Sequence, residues 1–230
     1  MQHESLNGVV SFRTLARGDI PNSLSNRMRR RRFARFEALT ASCPRPVRII
    51  DIGGVTAFWE MSGWANRTDV DITLVNLTTE PTRYENIRSL AGDATNLSQY
   101  SDKSFDIAFS NSVIEHLFTQ EKQAAMAREV QRVAKAFWVQ TPNYWFPVEP
   151  HFHTVGWQWM PEALRVAVLR RRRCGWRGPC PDLEEARRYV REVRLLTRRD
   201  LRLLFPTGTI SPERFGGLVK SWIVTGGFPQ

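Results

Sequence analysis

The chain has little cysteine and no long apolar run, and each absence excludes a class of protein. Its three cysteines are odd in number and widely separated, so reduced thiols are expected rather than a disulfide framework. No stretch approaches the roughly 18–20 consecutive apolar residues of a membrane-spanning helix. The N-terminus also lacks the charged-then-apolar order of a secretory signal. These features predict a soluble, cytoplasmic protein.

Acidic residues are outnumbered by basic residues towards both ends, but not in the centre. Residues 1–45 carry nine basic and three acidic groups, and residues 160–205 carry thirteen and six. Residues 46–159 carry nine basic and thirteen acidic groups, so the net charge of +10 comes from the two flanks. The runs Arg29–Arg32 and Arg170–Arg173 indicate peripheral contact with an anionic substrate, an anionic lipid surface or nucleic acid. A solvated charged face explains such runs equally well.

The first basic flank predicts a short amphipathic helix. Phe33, Phe36 and Leu39 follow the arginine run at helical spacing, and Pro44 and Pro46 end the pattern. We assign residues 1–45 to a basic N-terminal arm and residues 46–230 to a single domain.

Strands and helices alternate through most of that domain. The predicted strands are 47–51, 71–76, 87–90, 105–110, 136–140, 209–211 and 218–225, and the predicted helices are 57–65, 121–134 and 198–204. This alternation favours the α/β class, with a mostly parallel seven-stranded sheet and helices on both of its faces.

Residues 144–193 interrupt the alternation and are rich in Trp, Pro and Arg. We interpret them as an insertion over the carboxyl edge of the sheet. Its aromatic residues form a lid or substrate wall, or simply the core of a small subdomain. A helix is expected over Met160–Leu169, with Leu164 and Val168 facing inward.

Polar groups or glycines follow three consecutive strands. In a doubly wound sheet, ligands bind outside the carboxyl ends of the strands. Asp51-Ile52-Gly53-Gly54 closes the first strand, Asn76 ends the second, and Gly92-Asp93-Ala94 follows the third. Asn76 can bind a ribose diol without a charge, and the Asp93 carboxylate can accept a bond from an adenine amino group. The sequence therefore predicts a nucleoside site along this edge.

A longer block resembles a known family. The turn at Asp51 resembles motif I of class I S-adenosylmethionine-dependent methyltransferases. Gly92–Leu117 is similar to the GDA…L…D.SFD…S..V.EHL block of the methyltransferase type 11 group, and Thr141-Pro142-Asn143 continues the match. The resemblance implies a Rossmann-like class I methyltransferase fold, S-adenosylmethionine as the cofactor, and methyl transfer to a small-molecule, lipid-linked or glycan acceptor.

The resemblance also carries over the positions that contact the cofactor. They are Asp51, Gly53, Gly54, Asn76, Leu77, Gly92, Asp93, Ala94 and Asn111. The chain departs from the family where Val55 and Ala57 replace two glycines of the turn and where Asn76 replaces an acid. These departures support an alternative hypothesis, a non-catalytic binding or regulatory protein of the same fold. An RNA methyltransferase is a further alternative, whereas a nicotinamide-dependent oxidoreductase is disfavoured because Gly-x-Gly-x-x-Gly is absent.

Histidines supply the candidate catalytic groups. In the segment Glu149–His153, either His151 or His153 could accept a proton near neutral pH. His116 is a second candidate, although Glu115 and His116 could instead brace the cofactor loop. Glu149, His151 and His153 resemble a zinc ligand set, but such a cluster without a distant partner is weak support. We therefore predict His151 and His116 as candidate catalytic residues and no metal site.

Overall fold

The computed structural model describes residues 24–175 and 177–229. The chain divides into two compact units, Met1–Ala38 and Leu39–Gln230. Helix α1, Leu24–Thr40, contains the first arginine run, as the sequence predicts. The rest of the predicted basic arm, residues 1–23, lies outside the described residues. The boundary after residue 45 stays a prediction.

Seven strands form one sheet and two short ones form a hairpin. In chain order the strands are β1 Val47–Ile52, β2 Val70–Asn76, β3 Ile87–Ala91, β4 Phe105–Asn111, β5 Ala134–Pro142, β6 Val148–Glu149, β7 Thr154–Val155, β8 Thr209–Phe215 and β9 Leu218–Gly226. The large sheet has the order β3-β2-β1-β4-β5-β9-β8. Its first five strands are parallel, and β9 runs antiparallel to both β5 and β8.

Helices cover both faces of this sheet. They are α2 Thr56–Met61, α3 Gln120–Val133, α4 Glu162–Arg171, α5 Leu183–Arg191 and α6 Arg198–Leu204, with short 3-10 helices at Ile114–His116 and Trp157–Trp159. Met126 of α3 and Leu201 of α6 belong to one buried cluster with Ile50 of β1. On the opposite face, Trp59 of α2 packs against Phe109 of β4, with ring centroids 5.4 Å apart. The predicted fold class is therefore confirmed.

Two predicted helices differ from the observed ones. The helix after β1 ends at Met61 rather than residue 65, because Gly63 adopts a φ of 76° that a helix does not allow. The helix in the insertion is Glu162–Arg171, and the prediction that Leu164 faces inward was wrong. Leu164 is 49% exposed, whereas Val166 and Leu169 are buried.

The insertion has a core of its own. Phe152 and Trp157 stack with their ring centroids 4.2 Å apart and lie in a buried cluster with residues of α4 and α5. The sequence did not predict α5, since five of its nine residues are charged and its buried face consists of Ala186 and Val190. None of the described helices combines the length and the apolar character needed to span a bilayer.

Candidate functional site

The turn after β1 is shaped by its glycines. Gly53 has a φ of 79°, which favours glycine, and a Cβ built there would lie 2.4 Å from Cγ2 of Val113. A Cβ on Gly54 would lie 1.7 Å from Oδ2 of Asp51. The packing of the protein itself thus requires both glycines, and they leave the backbone of the turn without side chains at the carboxyl edge of the sheet.

Asp51 is turned into the protein rather than towards this edge. The side chain is 1% exposed, and Trp59 donates a hydrogen bond from Nε1 to Oδ2 across 2.7 Å. Oδ1 is buried and accepts no hydrogen bond. Burial raises the pKa of this carboxyl to about 7, although the bond from Trp59 acts in the opposite direction.

The end of β2 is tied to both neighbouring strands. Asn76 donates from Nδ2 to the carbonyl oxygen of Gly54 across 2.5 Å, so its amide nitrogen closes the turn after β1. The backbone N–H of Gly92 donates to the carbonyl oxygen of Asn76 across 2.8 Å. Leu77 follows with its side chain 81% exposed. An apolar surface therefore stands at the edge between the β1 turn and the end of β3.

Asp93 presents an exposed carboxylate just after β3. Its Oδ1 accepts bonds from the backbone N–H and the hydroxyl of Thr95, each 2.8 Å long. The backbone bond from Thr95 contributes most to a pKa held below the ordinary value, so the group is ionised at neutral pH. Ala94 is half-buried against the core.

Glu80 is an acidic group that the sequence reasoning missed. It lies in the connection between β2 and β3, and its Oε1 accepts bonds from the backbone N–H and the hydroxyl of Thr56 at 2.5 and 2.6 Å. An acid thus stands beside the β1 turn although Asn76 carries no charge. The only signal for Glu80 in the sequence is that an acidic residue follows the end of β2 by four positions.

The end of β4 leads into a buried polar group. Asn111 ends the strand and pairs with Gln140 of β5. The next turn, Ile114–His116, buries Glu115 completely. Thr141 of β5 donates from its hydroxyl to Oε2 of Glu115 across 2.9 Å, whereas Oε1 of Glu115 is buried and accepts no hydrogen bond from the residues that the structure describes. The role of Thr141 had no signal in the sequence, because it depends on the pairing of β4 with β5.

The two candidate catalytic histidines lie together. The imidazole rings of His116 and His151 have centroids 4.7 Å apart and meet edge to face. Glu149 fixes His151 through a 2.6 Å bond between Oε1 and Nδ1. The other carboxylate oxygen of Glu149 accepts the backbone N–H groups of His151 and Phe152, at 2.7 and 2.6 Å. The sequence named both histidines, but it did not predict that they form a pair.

Burial and charge set different protonation tendencies in this cluster. Burial lowers the pKa of His116 to about 4, and the nearby His151 and Arg177 add to that effect. Burial raises the pKa of Glu115 to about 7, against the opposing influence of His151. Burial alone would lower the pKa of His151, but the hydrogen bond and charge of Glu149 outweigh it and raise the pKa. His116 is therefore a neutral imidazole at pH 7.

A cavity of about 290 Å³ opens next to Glu149. Tyr144, Phe152 and Trp157 form aromatic walls, and Arg165 contributes a cation. Nε of Arg165 and Oε1 of Gln158 are buried there and have no hydrogen-bond partner among the described residues. The cavity thus offers one unpaired donor and one unpaired acceptor between aromatic surfaces, which is the composition of a small-molecule site.

The sheet order, the single antiparallel strand β9 and the glycine turn after β1 define a class I methyltransferase fold. Residues 52–136 match the family model of a methyltransferase domain. The match falls on the part of the chain in which the sequence resembles S-adenosylmethionine-dependent methyltransferases.

Curated relatives match only part of the chain. Two uncharacterized proteins of Mycobacterium tuberculosis, from the strains CDC 1551 / Oshkosh and ATCC 25618 / H37Rv, are each 40% identical to it over 72 residues. The match covers 31% of this chain and 24% of each relative, so the chain spans about a quarter of their length.

Solved structures extend the likeness over nearly the whole chain. The 1,6-didemethyltoxoflavin-N1-methyltransferase of Burkholderia thailandensis, solved with 1,6-didemethyltoxoflavin and S-adenosylhomocysteine, has a TM-score of 0.52 at 13% identity. The similarity covers 97% of this chain and 92% of that one. The CurJ carbon methyltransferase has a TM-score of 0.56 at 13% identity, covering 94% of this chain and 57% of that one. At such identities the likeness concerns the fold alone.

Proposed function

We propose that this chain is an active S-adenosylmethionine-dependent methyltransferase that binds its cofactor across the carboxyl ends of β1, β2 and β3. The observation that carries the proposal is the ionised, exposed Asp93 after β3, on the same edge as the side-chain-free turn at Gly53 and Gly54. The exposed Leu77 between them supplies an apolar platform for a nucleoside.

The residues at this edge fit the cofactor. The Asp93 carboxylate suits an adenine amino group, and Asn76 can accept from a ribose hydroxyl through its oxygen while its nitrogen holds Gly54. Glu80 adds the charge that Asn76 lacks. Gly92, Ala94 and Asn111 complete the predicted contact set, and buried Asp51 acts through the shape of the turn. When bound, S-adenosylmethionine supplies a methyl group that its sulfonium already makes electrophilic.

The acceptor is proposed to occupy the cavity beside Glu149. The aromatic walls of the cavity and the unpaired Nε of Arg165 suit a planar or anionic small molecule. A lipid-linked or glycan acceptor would place its polar groups in this cavity. His151 is the better candidate for a proton acceptor, since Glu149 holds Nδ1 and leaves the lone pair of Nε2. His116 lies beside it as a neutral imidazole.

Calorimetric titration tests the cofactor site. We expect both S-adenosylmethionine and S-adenosylhomocysteine to bind, and the Asp93→Asn variant to bind each at least about tenfold more weakly, since it loses a charge-assisted contact of about 1.4 kcal/mol. Asparagine keeps the oxygen that Thr95 needs. Asp102→Asn, which neutralises a carboxylate 76% exposed elsewhere, should leave the affinity unchanged. Absence of binding at millimolar cofactor would refute the proposal.

A non-catalytic protein of the same fold is the second candidate. The observation in its favour is the bond from Asn76 to Gly54, which occupies a group that a ribose would otherwise use. Binding of S-adenosylhomocysteine as tight as that of S-adenosylmethionine, with no methyl transfer to small-molecule extracts, would favour this alternative.

The second arginine run is proposed to contact an anionic surface. Arg170–Arg173 are exposed, and they form no ion pair with any residue in the described part of the chain. If the run Arg170–Arg173 is only a solvated charged face, no such contact forms. A cytoplasmic location stays a prediction.

A further inference from the structure

Three side chains from two separate segments converge beyond the carboxyl end of β4. A carboxylate oxygen of Glu115 and one ring nitrogen each of His116 and His151 lie within 4.8 Å of one another. Two imidazole nitrogens and one carboxylate oxygen make a donor set that first-row divalent metal ions prefer. Two of the three ligands come from the turn after β4, and the third comes from the segment between β6 and β7.

The buried carboxylate of Glu115 has an oxygen that a bound cation would contact. The residue is fully buried, and within the described part of the chain only one of its two carboxylate oxygens accepts a hydrogen bond, from Thr141. Among the described residues, no lysine or arginine forms an ion pair with it. A buried carboxylate oxygen without a partner costs free energy, and a bound metal ion removes that cost.

His151 is held as metal-binding histidines usually are. The bond from its Nδ1 to Oε1 of Glu149 is 2.6 Å long, and Glu149 is in turn fixed by two backbone N–H groups. Metal ligands of this type commonly donate their second nitrogen to a carboxylate, which sets the tautomer and the ring orientation. The tautomer fixed by Glu149 leaves the lone pair on Nε2.

The charges around the cluster are balanced for a divalent ion. Glu115 and Glu149 contribute two carboxylates, and both imidazoles are neutral ligands when they bind a metal. Arg177 is the one cation whose charge acts on both histidines, and it is ion-paired with Glu192.

We propose that Glu115, His116 and His151 form a binding site for a divalent transition-metal ion with a fourth position left open. Three protein ligands and an open position are the pattern of catalytic rather than structural zinc sites. No metal site was predicted from the sequence, because only Glu149, His151 and His153 lie close together along the chain. The inference does not depend on methyl transfer. It limits the proton-acceptor role of His151 to the metal-free chain, since the same lone pair would bind the ion.

Metal titration of the full chain, stripped with a chelator, tests the site. We expect one Zn²⁺ per chain by calorimetry, and binding at least about a hundredfold weaker in His116→Ala and in His151→Ala, since each loses a ligand. His153→Asn is the matched control, because it removes the neighbouring histidine at a position whose φ of 45° asparagine tolerates. It should bind Zn²⁺ as the unchanged chain does. Mg²⁺, which prefers oxygen ligands, should not compete.

Co²⁺ provides a readout that needs no variant. We expect visible absorption typical of nitrogen and oxygen ligands, without the near-ultraviolet band of a cobalt–thiolate bond. A thiolate band would place the ion at Cys43, Cys174 or Cys180 and overturn the proposal. It would also be overturned by less than one ion per chain at about 100 μM Zn²⁺, or by equal affinities in His151→Ala and His153→Asn. Titration of S-adenosylmethionine in the presence of chelator tests the cofactor site separately from the metal site.

Discussion

Asp51 shows how a residue of a recognisable motif can serve the fold rather than meet a ligand. The sequence placed a carboxylate at the end of β1, where it would be expected to face the nucleoside. In the structure its side chain is buried, bonded to Trp59, and packed so closely to Gly54 that no larger residue fits there. Its burial has a measurable consequence, because the folded protein favours the neutral form of a group that is easily charged in the unfolded chain.

Stability should therefore depend on pH through Asp51. The pKa is about 7 in the folded protein, above the ordinary value of 3.8, so the protonated carboxyl is favoured by folding. The stabilisation is complete below pH 4 and is lost as the pH rises through about 7. We expect Asp51→Asn to flatten the decline in the free energy of unfolding between pH 5 and pH 8, measured with urea. Asp102→Asn should leave that decline unchanged, and a decline equally steep in Asp51→Asn would contradict the assignment.

At the scale of elements, α4 shows that helical spacing leaves open which face is inward. Both Leu164 and Leu169 are spaced so that a helix could bury them, and the sequence favoured Leu164. Helix α5 decides which face of α4 is buried, because it supplies Ala186 and Val190 to the cluster that contains Leu169. Since α5 was not predicted, the surface that α4 packs against was unknown.

The two leucines of α4 provide a matched pair of variants. Leu169 is fully buried, so Leu169→Ala should lower the free energy of unfolding by about 2–5 kcal/mol. Leu164 is half exposed, and Leu164→Ala should cost less than about 1 kcal/mol. Urea unfolding followed by circular dichroism compares them. If Leu164→Ala were the more damaging change, the helix would be rotated from the orientation described.

At the scale of the whole molecule, the positive charge is concentrated in two flanks of the sequence, whereas the central segment has a small acidic excess. The sequence predicted this asymmetry, and the structure exposes the run Arg170–Arg173 at the end of α4. Arginines of the neighbouring α5 are exposed as well, but Arg187 and Arg191 are ion-paired with Glu184 and Glu162. The run Arg170–Arg173 forms no ion pair with the described residues, so its charge is available to a partner.

The run should determine binding to anionic surfaces. We expect replacement of both Arg171 and Arg172 by glutamine to weaken binding to vesicles rich in phosphatidylserine by about fivefold per residue removed. The paired Arg187 and Arg191, replaced in the same way, should change it less. A parallel titration with single-stranded RNA distinguishes a lipid from a nucleic-acid partner. Equal effects of the two double variants would assign the run to a solvated face.

Much of the fold and part of the site followed from local pattern. Buried parallel strands appear as short apolar runs, so all seven strands of the sheet were predicted within a few residues of their ends. The glycine turn, Asp93 and both histidines were named from their places after strands. The roles of Glu80, Thr141 and Arg165 were not predicted, because each depends on residues that are distant in the sequence. Glu80 contacts Thr56, Thr141 contacts Glu115, and Arg165 lines the cavity.

The sequence by itself determined the fold class, since the alternation of strands and helices along the chain and the block from Gly92 to Leu117 are properties of the linear sequence. Only the tertiary structure decided how the polar residues are used. It buried Asp51, tied Asn76 to the turn, and brought His151 to Glu115 and His116 across the insertion. The reason is physical: local pattern specifies strands and helices, whereas burial and pairing depend on which elements pack together.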